Sequence, residues 1–396
     1  MTSNLPPVDS KAAVRLVTEM MAIPGKSTEE SKISAFIQKK LKAAGVPAKS
    51  ITIDKAHKKS HAGGEIGNLI VKLPGTNKKA PRRLLMGHID TVPLCVGCKP
   101  VRKGQFIKSS DPTTALGGDN RAGAAVVLNA ALTILKHKLP HPPLTLFWPV
   151  QEEIGLCGAR YVTKTALGNP KLCFNWDGGS PSVATIGATG AYNIQITVTG
   201  IASHAGAHPD RGVSATMIAA LALADLQNNG WHGAIKKGTK TGTSNIGIIE
   251  GGAATNVVNP EVTVVAEARS HNAKFRAKIV KEFEKAFTKA AKQLKNHEGK
   301  RGSIKLESFL RYDSFAMKPS EPTVKAACVA IKDAGLDPVT KISNGGLDAN
   351  WLSAHGFKTV TLGCGQQHIH TVKEQLHVND FLTGCKIGLQ LATGGE

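Results

Sequence analysis

Residues 84–93 read LLMGHIDTVP, an apolar run that stops at a histidine and an aspartate, His88 and Asp90. Two further apolar runs end in acidic residues in the same way: 144–150 before Glu152 and Glu153, and 172–176 before Asp177. Short apolar runs of this kind predict buried strands, and open α/β sheets carry their chemistry where such strands end. The sequence therefore predicts an α/β sheet with acidic and histidine side chains gathered at one edge.

The segments around these runs alternate between helical and extended patterns. The predicted elements are a helical region over 12–44 broken at Pro24-Gly25, strands near Ile51, at 66–72 and at 84–87, a helix over 122–135, and, after Pro319, a helix over 321–334 and a strand over 359–362. This alternation is typical of a doubly wound catalytic domain with a mostly parallel sheet.

A different pattern occupies residues 190–313. Strands are predicted at 192–199, 243–250, 261–268 and 303–311, and helices at 214–226 and 273–294. The order βαββαβ is that of a ferredoxin-like sandwich. We therefore expect a discontinuous catalytic domain, 1–189 with 314–396, and an inserted lid or dimerisation domain, 190–313.

Composition limits the possible functions. A chain of 396 residues suggests two domains, and its net charge of +21 raises the question of acidic partners such as nucleic acid. The densest basic stretch, 274–305, carries Phe275, Ile279 and Phe283 at helical spacing. This spacing favours a solvated basic helix face over a nucleic-acid site.

Cysteine usage and targeting signals indicate the compartment. Seven cysteines argue against a secreted disulfide framework and for a reducing cytosol, and the pair Cys95 and Cys98 lacks a second pair to complete a zinc knuckle. Residues 1–11 are polar with two prolines, which predicts no signal peptide, and no run approaches the ~18 apolar residues of a membrane span. We expect a soluble, cytoplasmic protein.

The residues themselves suggest a pair of metal ions. Such a pair needs one carboxylate to bridge both ions, with nitrogen or oxygen donors to complete each shell. Asp119, in a Gly-Gly-Asp-Asn loop at a helix start, suits the bridge. His88 and Asp177 would complete one shell, and Glu153 and His370 the other.

The remaining acidic residues of the motifs take supporting roles in this interpretation. Asp90 lies two residues after His88 and can accept its ring N–H, which fixes the tautomer. Neighbouring side chains on an extended segment point opposite ways. Glu153 is therefore assigned to the metal, and Glu152 to the general base that passes a proton to the leaving nitrogen.

Together these motifs resemble the cocatalytic two-zinc peptidases and deacylases, a family that includes carboxypeptidase G, aminoacylase, desuccinylase and peptidase T. The resemblance covers nearly the whole chain. The matching motifs are His-x-Asp-x-Val-Pro at 88–93, Gly-Asp-Asn-x-x-Gly at 118–123, Glu-Glu-x-Gly-x-x-Gly-Ala at 152–159, Asp-Gly-Gly at 177–179, Ala-Ser-His-Ala-Gly-x-x-Pro at 202–209 and Gly-Gly-x-x-x-Asn at 251–256. Gly-Gly-Leu-Asp-Ala-Asn at 345–350 and His-Thr-x-x-Glu at 370–374 look most like peptidase T members.

The resemblance implies further roles. His204 would polarise the scissile carbonyl, with His208 as the alternative; Asn256 would hydrogen-bond the substrate backbone; and Arg269 would take a carboxylate. It also implies a cis peptide bond after Asp119. Two features depart from the pattern. Asn344 stands where peptidase T members tend to have an arginine, and His368 competes with His370 as the last ligand.

The implied activity is hydrolysis of small peptides, most simply by a di- or tripeptide aminopeptidase in which a hydroxide shared by two zinc ions attacks the amide. Cobalt or manganese could replace zinc. An N-acyl amino acid deacylase or a carboxypeptidase would use the same site, and an inactive binding protein with this fold is the non-enzymatic alternative. Relatives that pair through the inserted domain imply a homodimer. The expected substrate is a small peptide or N-acyl amino acid, and nucleic acid and membranes are not expected partners.

Overall fold

The computed structural model describes residues 5–394, so part of the 1–11 segment used for the leader-peptide prediction lies outside the described residues. The chain forms two compact units. The first runs up to Gly187 and also includes Ala316–Ser343 and the chain from Leu347 onward. The second comprises Ala188–Phe315 and Asn344–Gly346. Its role as a lid or dimerisation domain stays a prediction.

The α-helices and β-strands are numbered in chain order. The helices are α1 (Ser10–Met21), α2 (Ser31–Ala43), α3 (Gly118–His137), α4 (Cys157–Tyr161), α5 (Lys164–Leu167), α6 (Ala215–Asn228), α7 (Ala273–Gln293), α8 (Pro322–Asp333), α9 (Asp348–Ala354) and α10 (Val378–Thr393). The strands are β1 (Ile51–Ile53), β2 (Leu69–Leu73), β3 (Arg83–Met86), β4 (Pro100–Lys103), β5 (Phe106–Ser109), β6 (Leu144–Trp148), β7 (Leu172–Gly178), β8 (Val183–Ala188), β9 (Gly190–Thr199), β10 (Gly233–Lys237), β11 (Lys240–Glu250), β12 (Glu261–Ser270), β13 (Ser303–Tyr312), β14 (Phe315–Ala316), β15 (Val339–Ser343), β16 (Thr359–Gly363), β17 (Gln366–Gln367) and β18 (Gln375–His377).

The main sheet has the strand order β1-β2-β6-β3-β7-β16-β8-β14, with β15 also paired to β8. Its four central strands, β6, β3, β7 and β16, are parallel, whereas β2 joins β6 and β8 joins β16 in antiparallel fashion. All residues of β6 and β16 are buried, as expected for parallel strands covered on both faces. The predicted α/β class is confirmed, with the parallel strands confined to the middle of a mixed sheet.

Helix α3 lies unusually close to the carboxyl ends of β3 and β7. A Cβ atom added to Gly123 would stand 2.1 Å from the carbonyl oxygen of Trp176, and one added to Gly87 would stand 2.7 Å from the backbone of Gly123. Only glycine allows this approach. Because the helix is pressed against the strand ends, its first turn brings Asp119 to the same sheet edge.

A small second sheet in the first unit, β17-β18-β5-β4, was not predicted from the sequence. Helix α10 was also missed, although it packs against α3 and has buried residues along most of its length. The hairpin between β17 and β18 matters for function, because the intervening segment carries His370 and Glu374.

The second unit follows the order β9-α6-β10-β11-β12-α7-β13, with one strand, β10, that the sequence pattern did not predict. Its sheet runs β10-β11-β12-β9-β13 with antiparallel pairs throughout. Helix α7 buries Phe275, Ile279, Phe283 and Phe287 and exposes its lysines. The part of the basic stretch up to Lys292 is thus the outer face of an amphipathic helix, as predicted, and its last basic residues lie beyond α7.

Within residues 5–394, no helix is both long enough and apolar enough to cross a membrane. All seven cysteines are free thiols, including Cys95 and Cys98, which lie buried at a short turn.

Candidate metal centre

Three neighbouring parallel strands deliver acidic and histidine side chains to one sheet edge. Strand β3 pairs with β6 on one side and β7 on the other, so the carboxyl ends of all three point the same way. His88 Nε2 lies 3.3 Å from Asp119 Oδ1, 3.6 Å from Asp177 Oδ1 and 4.0 Å from Glu152 Oε2. The expected cluster is therefore brought together by strands that are far apart in the sequence.

The tautomer of His88 follows from its contacts. The ring Nδ1 lies 3.3 Å from Asp90 Oδ1 and 3.2 Å from the Asp90 carbonyl oxygen. Although burial opposes it, contacts with His88 and Ser27 lower the pKa of Asp90, so both oxygens act as acceptors. Nδ1 then carries a hydrogen, and Nε2 faces the carboxylates of Asp119 and Asp177. Although burial opposes it, hydrogen bonds to these carboxylates raise the pKa of His88 well above its usual range. A metal ion bound here would displace the Nε2 proton and take this nitrogen as a ligand.

Asp119 stands between two histidines. Its Oδ1 faces His88, and its Oδ2 lies 3.2 Å from His370 Nε2. Glu374 supports this position, because the backbone N–H groups of Gly117 and Asp119 donate to its two carboxylate oxygens at 2.8 and 2.9 Å. The peptide bond from Asp119 to Asn120 is cis, as the family resemblance implied.

His370 is the histidine that reaches the cluster from the β17–β18 hairpin. Its Nε2 lies 3.0 Å from Glu153 Oε1. Hydrogen bonds to Asp119 and Glu153 raise the pKa of His370 to about 10. Among the described residues, the groups with ligand atoms close enough to share an ion include His370 and not His368.

The pair Glu152 and Glu153 does not lie on an extended segment, so the premise used to separate their roles is wrong. Strand β6 ends at Trp148, Gln151 has a left-handed φ of 57°, and a turn follows. Each of the two carboxylates has an oxygen within 4.8 Å of a His88 ring nitrogen, so both are possible ligands. The assignment of base and ligand therefore stays a prediction.

Asp90 also fixes the backbone of these two glutamates. Its Oδ1 accepts the N–H of Glu152 at 3.0 Å, and its Oδ2 accepts the N–H of Glu153 at 3.2 Å. One fully buried carboxylate thereby orients a histidine and positions the two glutamates.

The centre holds more negative charge than the histidines can balance. Burial raises the pKa of Glu152 well above its usual range and raises that of Asp177 to about 7, with nearby carboxylates adding to both shifts. His88 Nε2 and Asp119 Oδ1 are buried and face each other without a well-aligned hydrogen bond. Uncompensated buried groups of this kind are costly, and cations would satisfy them. The donor set of imidazole and carboxylate groups fits a pair of divalent metal ions.

Two buried acids at the centre were not assigned roles from the sequence. Glu30 is fully buried and accepts the backbone N–H groups of Thr28 and Gln151 at 2.9 and 3.1 Å. Asp348 is also buried, and neither of its carboxylate oxygens has a hydrogen-bond partner. Burial raises its pKa well above the usual range, and the carboxylates of Asp177 and Glu153 add to that shift. Asp348 belongs to the quoted 345–350 motif, which was the available signal.

The three remaining predicted residues belong to the second unit. His204 is exposed, and its Nδ1 accepts the N–H groups of Gly206 and Ala207. Asn256 is exposed, and its backbone carbonyl oxygen accepts the N–H of Ala205. Arg269 donates from Nε and Nη2 to the carboxylate of Glu267, both at 2.8 Å. The alternative His208 is likewise exposed. Their roles toward a substrate stay predictions.

Comparison with known proteins places this centre in a family. Residues 84–394 match the sequence model of the family described as Peptidase family M20/M25/M40. YqjE of Bacillus subtilis strain 168, an uncharacterised protein, is 30% identical over 377 residues, which cover 95% of this chain and 96% of that protein. A tripeptidase from Staphylococcus aureus subsp. aureus Mu50 has a TM-score of 0.88 at 28% identity and covers 98% of this chain and 99% of its own. Aminopeptidase PepT from Bacillus cereus ATCC 10987 has a TM-score of 0.83 at 30% identity, with coverage of 97% and 98%. The match over most of the chain shows that this protein belongs to peptidase family M20/M25/M40 and is a metallopeptidase of that family.

Proposed function

We propose that the protein is a two-zinc aminopeptidase that hydrolyses di- or tripeptides. The observation that carries the proposal is the position of Asp119, whose two carboxylate oxygens face His88 on one side and His370 on the other. His88 and Asp177 would hold one ion, and Glu153 and His370 the other. Similarity to a tripeptidase and to aminopeptidase PepT supports small peptides as substrates.

Bound zinc would supply Lewis-acid chemistry, polarising the amide carbonyl and making the attacking water more acidic. The protein's own residues would manage the protons. Glu152 takes a proton from the water and returns it to the leaving nitrogen. Asp90 keeps Glu152 in place through the Glu152 N–H.

Recognition of the peptide is assigned to the second unit. His204 would donate to the developing oxyanion, a role worth roughly 3 kcal/mol in other enzymes. Asn256 would bond the substrate backbone and Arg269 its carboxylate. The proposal includes a homodimer paired through this unit and a cytoplasmic location, which the free state of all seven cysteines supports.

The decisive experiment is a hydrolysis panel of di- and tripeptides, their N-acetylated forms and simple N-acyl amino acids. It compares protein as purified, protein stripped with a chelator, and stripped protein reloaded with zinc, cobalt or manganese. We expect cleavage of peptides with a free amino end, loss on stripping and recovery on reloading. Preferential cleavage of N-acyl amino acids would show that the protein is a deacylase instead. Release of C-terminal residues would show that it is a carboxypeptidase.

A further inference from the structure

A cavity of about 360 Å³ in the first unit has Asp177 on its wall. Gly178, Gly179 and Gly363 also line it, and they have no side chains to fill the space. The cavity therefore lies directly beside a predicted metal ligand.

One wall of this cavity is a two-stranded surface. Strand β15 pairs with β8, and the N–H of Val339 donates to the Ser182 carbonyl at 2.9 Å. Alternate residues of a strand share a face. Lys341 and Ser343 of β15, together with Val183 and Thr185 of β8, line the cavity in this way. The wall thus combines an ammonium group and hydroxyl groups with aliphatic surface.

Lys341 is the feature that sets the chemistry of the cavity. It is the one basic residue among the lining residues, and within residues 5–394 no carboxylate lies at ion-pair distance from its ammonium group. A cation without a protein partner beside a reaction centre is suited to a negatively charged part of the substrate.

We propose that this cavity is a side-chain subsite and that Lys341 makes it select peptides with an acidic residue next to the hydrolysed amide. The aliphatic part of an aspartate or glutamate would contact Val183 and Leu347, and its carboxylate would meet Lys341. This inference rests on the proposed peptide hydrolysis. Because Lys341 is exposed to water, the ion pair should contribute no more than about fivefold in affinity.

The test uses metal-loaded protein and tripeptides that carry glutamate, glutamine or lysine on either side of the scissile bond, each as a free acid and as a C-terminal amide. The wild type should prefer glutamate over glutamine at one of the two positions by about fivefold in kcat/KM, through KM. Lys341→Met should abolish this preference, Lys341→Arg should keep it, and Lys341→Glu should transfer it to lysine. Lys332→Met, at an exposed lysine of α8, controls for the loss of one positive charge.

Three results would overturn the subsite. One is a glutamate preference that survives in Lys341→Met, and another is a wild type that does not distinguish glutamate from glutamine. The third is a Lys341 effect seen only with free acids, which would assign the lysine to the terminal carboxylate. Calorimetric binding of the same peptides to metal-loaded Glu152→Gln measures the preference without turnover. A wild type that cleaves no peptide would refute the proposed function. The calorimetry would still show whether Lys341 selects peptides with an acidic side chain.

Discussion

The backbone N–H of Gln151 donates to the carboxylate of Glu30 across 121 positions of the chain, at 3.1 Å. The next two N–H groups, of Glu152 and Glu153, donate to Asp90. Two buried carboxylates thus hold three consecutive amides in front of the metal centre. This arrangement explains how a turn can present two glutamates to one cluster with fixed geometry.

Glu152→Ala should keep about two zinc ions per chain and lose activity by roughly 10²–10⁴-fold, because only the proton carrier is removed. Glu153→Ala should lose one ion. Metal analysis of the purified variants, alongside their kcat values, separates the two roles, and Glu29→Ala on the exposed neighbour of Glu30 serves as the control. If Glu152→Ala lost an ion while Glu153→Ala kept both, the roles would be exchanged.

Glu30→Gln should change how stability depends on pH. Burial raises the pKa of Glu30 from 4.5 to about 8, with the Asp90 charge adding to the shift. The protonated carboxyl is therefore favoured in the folded state. Its contribution to stability is complete below the unfolded pKa and is lost as pH rises through about 8, at up to about 1.4 kcal/mol per pH unit in between.

The measurement is urea unfolding of chelated protein from about pH 5 to about pH 8.5, followed by tryptophan fluorescence. The free energy of unfolding of the wild type should fall relative to Glu30→Gln across this window, since glutamine binds no proton. Glu29→Gln, on an exposed side chain, should run parallel to the wild type. A constant difference between wild type and Glu30→Gln would show that Glu30 does not titrate there.

Arg269→Ala should impair hydrolysis of peptides with a free C-terminal carboxylate more than that of their amides. A charge-assisted pair contributes about 1.5–3 kcal/mol, or roughly 10- to 150-fold. Because the guanidinium now bonds Glu267, the variant Glu267→Gln should lower KM for free acids by removing a competing carboxylate. Equal losses on acids and amides in Arg269→Ala would leave this arginine without a recognition role.

Mixing inactive His204→Ala and inactive Glu152→Ala subunits should restore activity if the protein is a homodimer in which His204 acts on the partner's substrate. Random pairing would leave one intact site in half of the dimers, or about a quarter of the wild-type sites. The same mixture with His208→Ala tests the alternative histidine. A monomer by light scattering, or a mixture that stays inactive after demonstrated subunit exchange, would refute the shared site.

The elements that could be predicted from the sequence are those whose buried residues form a regular pattern over a continuous stretch of the chain. Strands β3, β6 and β7 appear as apolar runs because parallel strands are covered on both faces. Helix α7 appears through its apolar period. Helix α10 was missed despite its buried residues, and the short strands β17 and β18 offered too few residues for a pattern.

The residue types of the metal centre were visible because chemistry restricts them: only acids and histidines placed after buried strands suit a metal pair. Which of Glu152 and Glu153 binds metal and which acts as the base could not be predicted. The opposite orientation expected for Glu152 and Glu153 required an extended backbone, and the left-handed Gln151 replaces that backbone with a turn. A turn follows Gln151, and the surrounding fold sets the backbone conformation of that turn.

Glu30, Asp348 and Lys341 gained their significance only in three dimensions. In the sequence Glu30 and Lys341 are ordinary charged residues and Asp348 is one member of a motif, because burial, an unpaired oxygen and a position on a cavity wall are properties of neighbours brought together from distant segments. The chain's local patterns determined the α/β class and the set of candidate ligands. Packing of α3 and the strand ends against one another decided which of those groups are desolvated and which face each other, since desolvation depends on what surrounds a side chain in space.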